Sequence, residues 1–99
     1  MRQKSFTSSF SQTTFARLGE RIRRTRKARR ITLQQMEAHC GVHRSTLARL
    51  ETGDMGVSFA VLAAVLEALG KLSEIEALLS DPEATFPLPP AIPRLDADF

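Results

Sequence analysis

The chain has 99 residues, 42% of them hydrophobic, which predicts a single domain with one modest core and excludes disorder throughout. Its one cysteine excludes a disulfide framework and a Cys-based zinc quartet, and no segment has the apolar length of a signal peptide or a membrane span, so we expect a cytoplasmic protein. The net charge of +3 divides into 12 Lys/Arg against 2 Asp/Glu in residues 1–50 and 2 against 9 in residues 51–99, which indicates a nucleic-acid-binding first half.

The first half opens with a polar arm and a basic helix. Residues 1–14 are rich in Ser, Thr and Gln without sustained periodicity, and we expect a flexible arm that either follows DNA or has no role. The first helix is predicted to span residues 15–29, with Thr13 or Thr14 as its N-cap. Its apolar face holds Phe15, Leu18 and Ile22, and its other faces carry Arg17, Arg21, Arg23, Arg24 and Lys27.

The second helix is predicted to begin directly after Thr32. Thr32 and Gln35 form a capping-box pattern, in which each side chain bonds the backbone N–H of the other residue. The free N–H groups at such a helix start also suit a DNA phosphate, so we assign phosphate binding to Thr32, Gln34 and Gln35. His39 and Cys40 have no further ligand at metal-site spacing and no catalytic partner pattern. We therefore expect no metal and no cofactor, with Cys40 as a small buried thiol.

The third helix, residues 43–52, carries the strongest functional pattern. It follows a tight turn at Gly41, and Val42, Leu47 and Leu50 provide its apolar contacts with the second helix. The opposite face carries Arg, Ser and Thr side chains. An Arg can bond guanine O6 and N7 with two parallel donors, while Ser and Thr can reach a base or a phosphate. We assign base reading to Arg44, Ser45 and Arg49, and phosphate binding to His43 and Thr46.

Two more helices and a tail complete the predicted architecture. Ser58 is the expected N-cap of a fourth helix, and residues 81–99 contain all five prolines and form an acidic tail. That tail either adds to a partner as an extended peptide or is disordered. The apolar stripe of the fourth helix is Phe59, Leu62, Leu66 and Leu69, and the fifth helix closes the core with Ile75, Leu78 and Leu79.

Three consecutive pieces, LGERIRRTRKARRIT, TLQQMEAHCGV and RSTLARLETG, resemble the phage repressor and Cro-type, or XRE-type, helix-turn-helix family. The resemblance implies an all-α, compact five-helix bundle of the lambda-repressor-like DNA-binding type over residues 15–80, between the flexible arm and the Pro-rich tail. It also implies an ion pair between Arg26 and Glu51 that fixes the third helix on the first. The chain departs from the family pattern at Thr25, Arg30, Leu33, Glu37 and His43, where Arg30 replaces a helix-ending Gly and Glu37 a small alanine.

A second resemblance concerns the segment after the recognition helix. GD-x-GVS followed by L-x-x-VL-x-ALG resembles the HipB-like branch, antitoxins encoded beside HipA-type kinase toxins, although Met55 replaces a proline often found there. This resemblance implies a toxin–antitoxin operon and a HipA-like kinase toxin as partner.

Together these patterns predict a sequence-specific DNA-binding transcriptional regulator rather than an enzyme, because the sequence has no nucleophile–base pair, metal cluster or phosphate loop. We expect a homodimer on a palindromic operator in double-stranded DNA, cytoplasmic and nucleoid-associated, encoded by a bacterium or a phage, without a membrane partner. One hypothesis is an autorepressing antitoxin, and a second is a stand-alone XRE-type or phage-like regulator. The presence of an adjacent gene for a kinase-like toxin would distinguish the antitoxin from the stand-alone regulator. A third hypothesis is a protein-interaction adaptor without DNA binding.

Overall fold

The computed structural model describes residues 8–83, and within them the chain forms helices and no strand. The all-α class predicted from the sequence is therefore confirmed. Residues 1–7 of the predicted arm and residues 84–99 of the predicted tail lie outside the described residues. The helices are α1 Ser9–Ala28, α2 Leu33–Cys40, α3 Arg44–Glu51, α4 Phe59–Ala68 and a 3₁₀ helix, Leu72–Ala77.

The start of α1 differs from the prediction. Its N-cap is Ser8, whose hydroxyl accepts a hydrogen bond from the N–H of Ser11 at 3.2 Å. Thr13 and Thr14, the predicted caps, lie inside the helix, so the predicted start at residue 15 is wrong. Residues 9–14 contain neither Gly nor Pro, and a nucleated helix gains a hydrogen bond for each residue it adds, so α1 extends back to a capping serine.

The buried core draws on all four α-helices. α3 packs against both α1 and α2, and α2 also contacts α4. Leu18 and Leu33 pack against this core as half-buried neighbours. Fully burying a Val, Leu, Ile or Met side chain contributes about 1.5–3 kcal/mol to the free energy of folding, so a small core suffices to hold the helices together. The buried hydrophobic residues in the described range are Ile22, Met36, Leu47, Leu50, Val65, Leu66 and Leu69.

The end of the bundle is more open than the sequence predicts. Phe59 is 89% exposed because it lies in the first turn of α4, where residues 58–60 are all exposed. The fifth helix is a short 3₁₀ helix that packs on α4. The predicted core roles of four residues are therefore wrong, namely Phe59, Ile75, Leu78 and Leu79, of which Leu79 is 97% exposed. A 3₁₀ helix of this length is too short to cover the core with a continuous apolar face.

Candidate nucleic-acid interface

α3 has one buried face and one exposed face. Leu47 and Leu50 are buried and fix the helix in the core, whereas Arg44, Ser45 and Arg49 are exposed. With 3.6 residues per turn, the two arginines lie about 140° apart around the helix axis. They therefore occupy the two edges of the exposed face, and Ser45 lies between them.

The first turn of α3 is capped by His43. Nδ1 of His43 accepts a hydrogen bond from the N–H of Ser45 at 3.0 Å, and the Ser45 hydroxyl lies 2.8 Å from the same nitrogen. Because the Nδ1 lone pair is used by the cap, the neutral ring carries its proton on Nε2. The Nε2–H group is then the donor that His43 can offer to a phosphate. Thr46, the other predicted phosphate contact on α3, is half-buried.

The start of α2 has the predicted capping box. The Thr32 hydroxyl accepts from the Gln35 N–H at 3.0 Å, and Oε1 of Gln35 accepts from the Thr32 N–H at 2.9 Å. This box satisfies two backbone donors and leaves the N–H groups of residues 33 and 34 for an anion. The Gln34 side chain is exposed beside them.

An open groove of about 770 Å³ lies between α1 and α3 and reaches the start of α2 at Thr32. Arg23 and Lys27 of α1 line one side of it, and Ala48 and Thr52 line the other. In the sequence, Arg23 and Lys27 are two of several basic residues of the first helix. Their spacing of four residues, which places both on one helix face, was the signal that could have singled them out.

A buried ion pair fixes α3 on α1. Nε of Arg26 donates to Oε2 of Glu51 at 2.7 Å, and Nη2 donates to Oε1 at 3.0 Å. The remaining Nη1 donates to the carbonyl oxygen of Ile31 at 2.7 Å. The hydrogen bond from Glu51 raises the pKa of Arg26, against the opposing effect of burial. The guanidinium therefore joins α1, the loop before α2 and the end of α3.

Both exposed arginines of α3 are paired with carboxylates, which the sequence analysis did not anticipate. Nε of Arg44 donates to Oε1 of Glu37 at 3.0 Å, and Nε of Arg49 donates to Oδ2 of Asp54 at 2.8 Å. Glu37 belongs to α2, and Asp54 belongs to the loop after α3. The departure of Glu37 from the family pattern was the available signal. Asp54 belongs to the GD-x-GVS segment, but nothing in the sequence indicated a contact with α3.

Residues 17–78, more than half of the chain, match the sequence model of the helix-turn-helix domain. The chain belongs to the helix-turn-helix domain family. This membership is consistent with the XRE-type resemblance and indicates a DNA-binding regulator. No curated protein and no solved structure matches the chain.

The turn of this helix-turn-helix domain depends on Gly41. Its φ of 73° is left-handed, and its N–H donates to the carbonyl oxygen of Glu37 at 2.8 Å, which ends α2. A Cβ at this position would meet nothing within 4 Å, so backbone conformation alone favours glycine here. Val42 follows the turn and packs against the core.

Cys40, at the end of α2 in the helix-turn-helix domain, is half-buried. Its Sγ lies 3.5 Å from Sδ of Met36 and 3.7 Å from the carbonyl oxygen of Ala64. Burial raises the pKa of the thiol, so Cys40 stays protonated and packs as a small apolar side chain. Across residues 8–83, no three His, Cys, Asp or Glu side chains are grouped so that they could hold a metal ion. None of the helices in this range is long and apolar enough to cross a membrane.

Proposed function

We propose that this protein is a sequence-specific transcriptional regulator that reads duplex DNA with α3. The observation that carries the proposal is the division of α3 into an anchored face and an exposed face. Leu47 and Leu50 anchor the helix, and Arg44, Ser45 and Arg49 face solvent. The DNA major groove admits an α-helix, and Arg donors there match guanine O6 and N7.

Phosphate contacts supply most of the affinity in this proposal. The groove between α1 and α3, which Arg23 and Lys27 line, meets the start of α2, so both can follow one DNA backbone. Each phosphate that a Lys or Arg neutralises steepens the fall of log Kobs with log salt by about 0.9. We therefore expect strongly salt-dependent binding. The proposed phosphate-binding residues are Thr32, Gln34, Gln35, His43 and Thr46, together with Arg23 and Lys27.

Selection from a pool of duplexes with a randomised central stretch tests base reading and requires no assumed operator sequence. We expect the wild-type chain to enrich one motif. Arg44→Ala and Arg49→Ala should each reduce the preference for the selected duplex over a scrambled one by about fivefold or more. Arg21→Ala is the control of equal charge, because Arg21 lies about 160° around α1 from Arg23. It should keep the wild-type preference.

Two outcomes of this selection would overturn base reading. One is the absence of any enriched motif, and the other is equal binding of selected and scrambled duplexes by the wild-type chain. A chain that binds none of the duplexes would favour the alternative of a protein-interaction adaptor without DNA binding, whereas equal binding would indicate DNA binding without base reading.

We further propose that the regulator binds a palindromic operator as a homodimer. An eight-residue recognition helix reads only a few base pairs, and a two-fold pair supplies a second half-site. Phe59, Leu78 and Leu79 are exposed apolar side chains that a contact between two copies could bury. Sedimentation of the complex should give two chains per duplex, with half-sites about one helical turn apart. One chain on a single half-site would contradict the dimer.

The segment that resembles the HipB-like branch supports a narrower proposal, an autorepressing antitoxin that binds a HipA-like kinase toxin in the cytoplasm. The alternative is a stand-alone XRE-type or phage-like regulator. Co-expression with the product of the adjacent gene separates these two. A stable complex with a kinase-like protein is expected for the antitoxin. An adjacent gene of another kind would favour the stand-alone regulator.

A further inference from the structure

Each arginine on the exposed face of α3 donates its Nε to a carboxylate on a neighbouring element. Arg44 pairs with Glu37 of α2 at 3.0 Å, and Arg49 pairs with Asp54 of the following loop at 2.8 Å. The two arginines lie at opposite edges of α3, so the carboxylates hold them from opposite sides.

The carboxylate that holds Arg49 is itself fixed in place. Oδ1 of Asp54 accepts a hydrogen bond from the N–H of Gly56 at 2.8 Å, while Oδ2 accepts from Arg49. The hydrogen bonds from Arg49 and then from Gly56 lower the pKa of Asp54, and the bond to Asp54 raises the pKa of Arg49. Both groups therefore stay charged at neutral pH, and the carboxylate cannot swing away without breaking two hydrogen bonds.

These ion pairs contribute little to folding stability. The Arg44 and Arg49 side chains are 53% and 52% exposed, and exposed ion pairs are screened by water and salt. A contact that costs side-chain freedom yet adds little stability calls for another role, and both contacts lie on the surface assigned to DNA.

The geometry leaves each arginine able to read a base. A guanidinium has five N–H donors, and a bond through Nε leaves the four on Nη1 and Nη2. Two parallel donors of this kind match guanine O6 and N7. An arginine already held through Nε loses less conformational freedom when it meets a base, because its rotamers are restricted before binding.

The carboxylates also discriminate between phosphate and base. Each cancels one of the positive charges that attract DNA of any sequence, and each repels a phosphate that approaches its arginine. A guanine edge presents acceptors with only partial negative charge, so the carboxylate repels it less than a phosphate. Each ion pair thus weakens sequence-independent binding more than sequence-specific binding. Selectivity then arises because the carboxylate disfavours phosphate contacts of the arginine.

We propose that Glu37 and Asp54 are specificity-determining positioning residues of the DNA-binding surface: they orient Arg44 and Arg49 for guanine and oppose their binding to phosphate. This inference rests on the proposed function, since it requires that Arg44 and Arg49 read bases. It assigns a role to Glu37, which occupies a position that resembles an alanine site in the family, and to Asp54, which lies outside α3.

Charge-removing variants of the full chain test the inference. Glu37→Gln and Asp54→Asn keep the side-chain shape and an oxygen acceptor but lose the negative charge. We expect each to bind a scrambled duplex about two- to tenfold more tightly and to lose about fivefold or more of the preference for the selected duplex. Glu74→Gln is the matched control, because Glu74 pairs with Lys71 at 3.6 Å on the 3₁₀ helix, which packs on α4. It should change neither quantity by more than about twofold.

A second pair of variants separates position from charge. Glu37→Asp and Asp54→Glu keep the negative charge but move the carboxylate by one methylene. We expect scrambled-duplex binding close to that of the wild-type chain and a reduced preference for the selected duplex. Thermal melting of the Glu37 variants and of Asp54→Asn should match the parent, because the arginines of both ion pairs are half exposed and such pairs add little stability. Asp54→Glu also displaces the acceptor of the Gly56 N–H and should melt at a slightly lower temperature.

Base reading and arginine positioning fail in different ways. If Arg44→Ala and Arg49→Ala lose the preference while all four carboxylate variants retain it, the positioning role is overturned and base reading stands. If the wild-type chain enriches no motif, base reading and the positioning role fall together.

Discussion

Arg26 is buried, at 6% exposure, and the side chain of its partner Glu51 is 8% exposed. Taking two charges out of water costs several kcal/mol, which their attraction and hydrogen bonds roughly offset. All three guanidinium nitrogens of Arg26 have acceptors, and no buried side-chain nitrogen or oxygen in this part of the chain lacks a partner. The pair with Glu51 therefore sets the geometry of α3 more than it stabilises the fold.

Removing one member of this pair should lower the free energy of unfolding by far more than the intact pair contributes to it. Glu51→Ala leaves a buried guanidinium without its carboxylate, and we expect a loss of about 3–5 kcal/mol in the free energy of unfolding. Urea denaturation measures it, and DNA binding should weaken in parallel. Arg24→Ala is the control, because Arg24 and Glu20 form an exposed pair at 3.9 Å, worth within about 0.5 kcal/mol. A Glu51→Ala chain that unfolds like the parent would contradict the structural role.

At the level of elements, α1 and the end of α3 approach each other through glycines. A Cβ on Gly19 would lie 2.6 Å from the carbonyl oxygen of Glu51, and a Cβ on Gly53 would lie 2.5 Å from Cα of Ala16. Gly53 also has a left-handed φ of 88°. This close backbone contact brings Glu51 within hydrogen-bonding distance of Arg26. The ion pair and the two glycines are therefore parts of the same contact between α1 and the end of α3.

Two exchanges of opposite kind, one within α1 and one just after it, should change the free energy of unfolding in opposite directions. Gly19→Ala gains helix propensity but forces backbone atoms apart, and we expect a loss of about 1–3 kcal/mol in the free energy of unfolding. Arg30 has a left-handed φ of 59° just after α1, so Arg30→Gly should relieve strain and stabilise by about 0.5–1 kcal/mol. Denaturant midpoints of the two variants measure both effects. Stabilisation by Gly19→Ala would show that the helices separate freely.

At the level of the whole molecule, the core covers the C-terminal half of α4, whereas the first turn of α4 stays open. Leu69 is 1% exposed, whereas Phe59 at the start of the same helix and Leu79 beyond the 3₁₀ helix are almost fully exposed. Basic residues line the groove of α1, while Glu74 and Glu76 lie on the 3₁₀ helix. The molecule thus separates a basic surface from an acidic and apolar one.

Two truncations on α4 test this division. Leu69→Ala should lower the free energy of unfolding by about 2–5 kcal/mol because it leaves a cavity in the core. Phe59→Ser should change it by less than about 0.5 kcal/mol, since a side chain that is 89% exposed has little to lose. Thermal melting at low protein concentration separates these effects from association. A large destabilisation by Phe59→Ser in the monomer would place Phe59 in the core after all.

By itself, the sequence determined what depends on neighbours within about four residues along the chain. The capping box of Thr32 and Gln35, the left-handed turn at Gly41 and the Ser58 cap are local hydrogen-bonding patterns, so residue type and spacing specify them. The early start of α1 was missed because several hydroxyl residues compete as caps, and only the extent of the helix selects Ser8.

The tertiary structure decided the contacts that join separate elements. Glu37 and Asp54 reach the arginines of α3 across a turn and a loop, where no helical period relates the partners. Phe59 has the residue type and spacing of a core position, yet it is exposed because exposure depends on which element covers a helix end. Hydrophobic burial and electrostatic pairing between separate elements do not require a fixed spacing of the partners along the sequence. The packing of the helices therefore has to be known before either can be assigned to a residue.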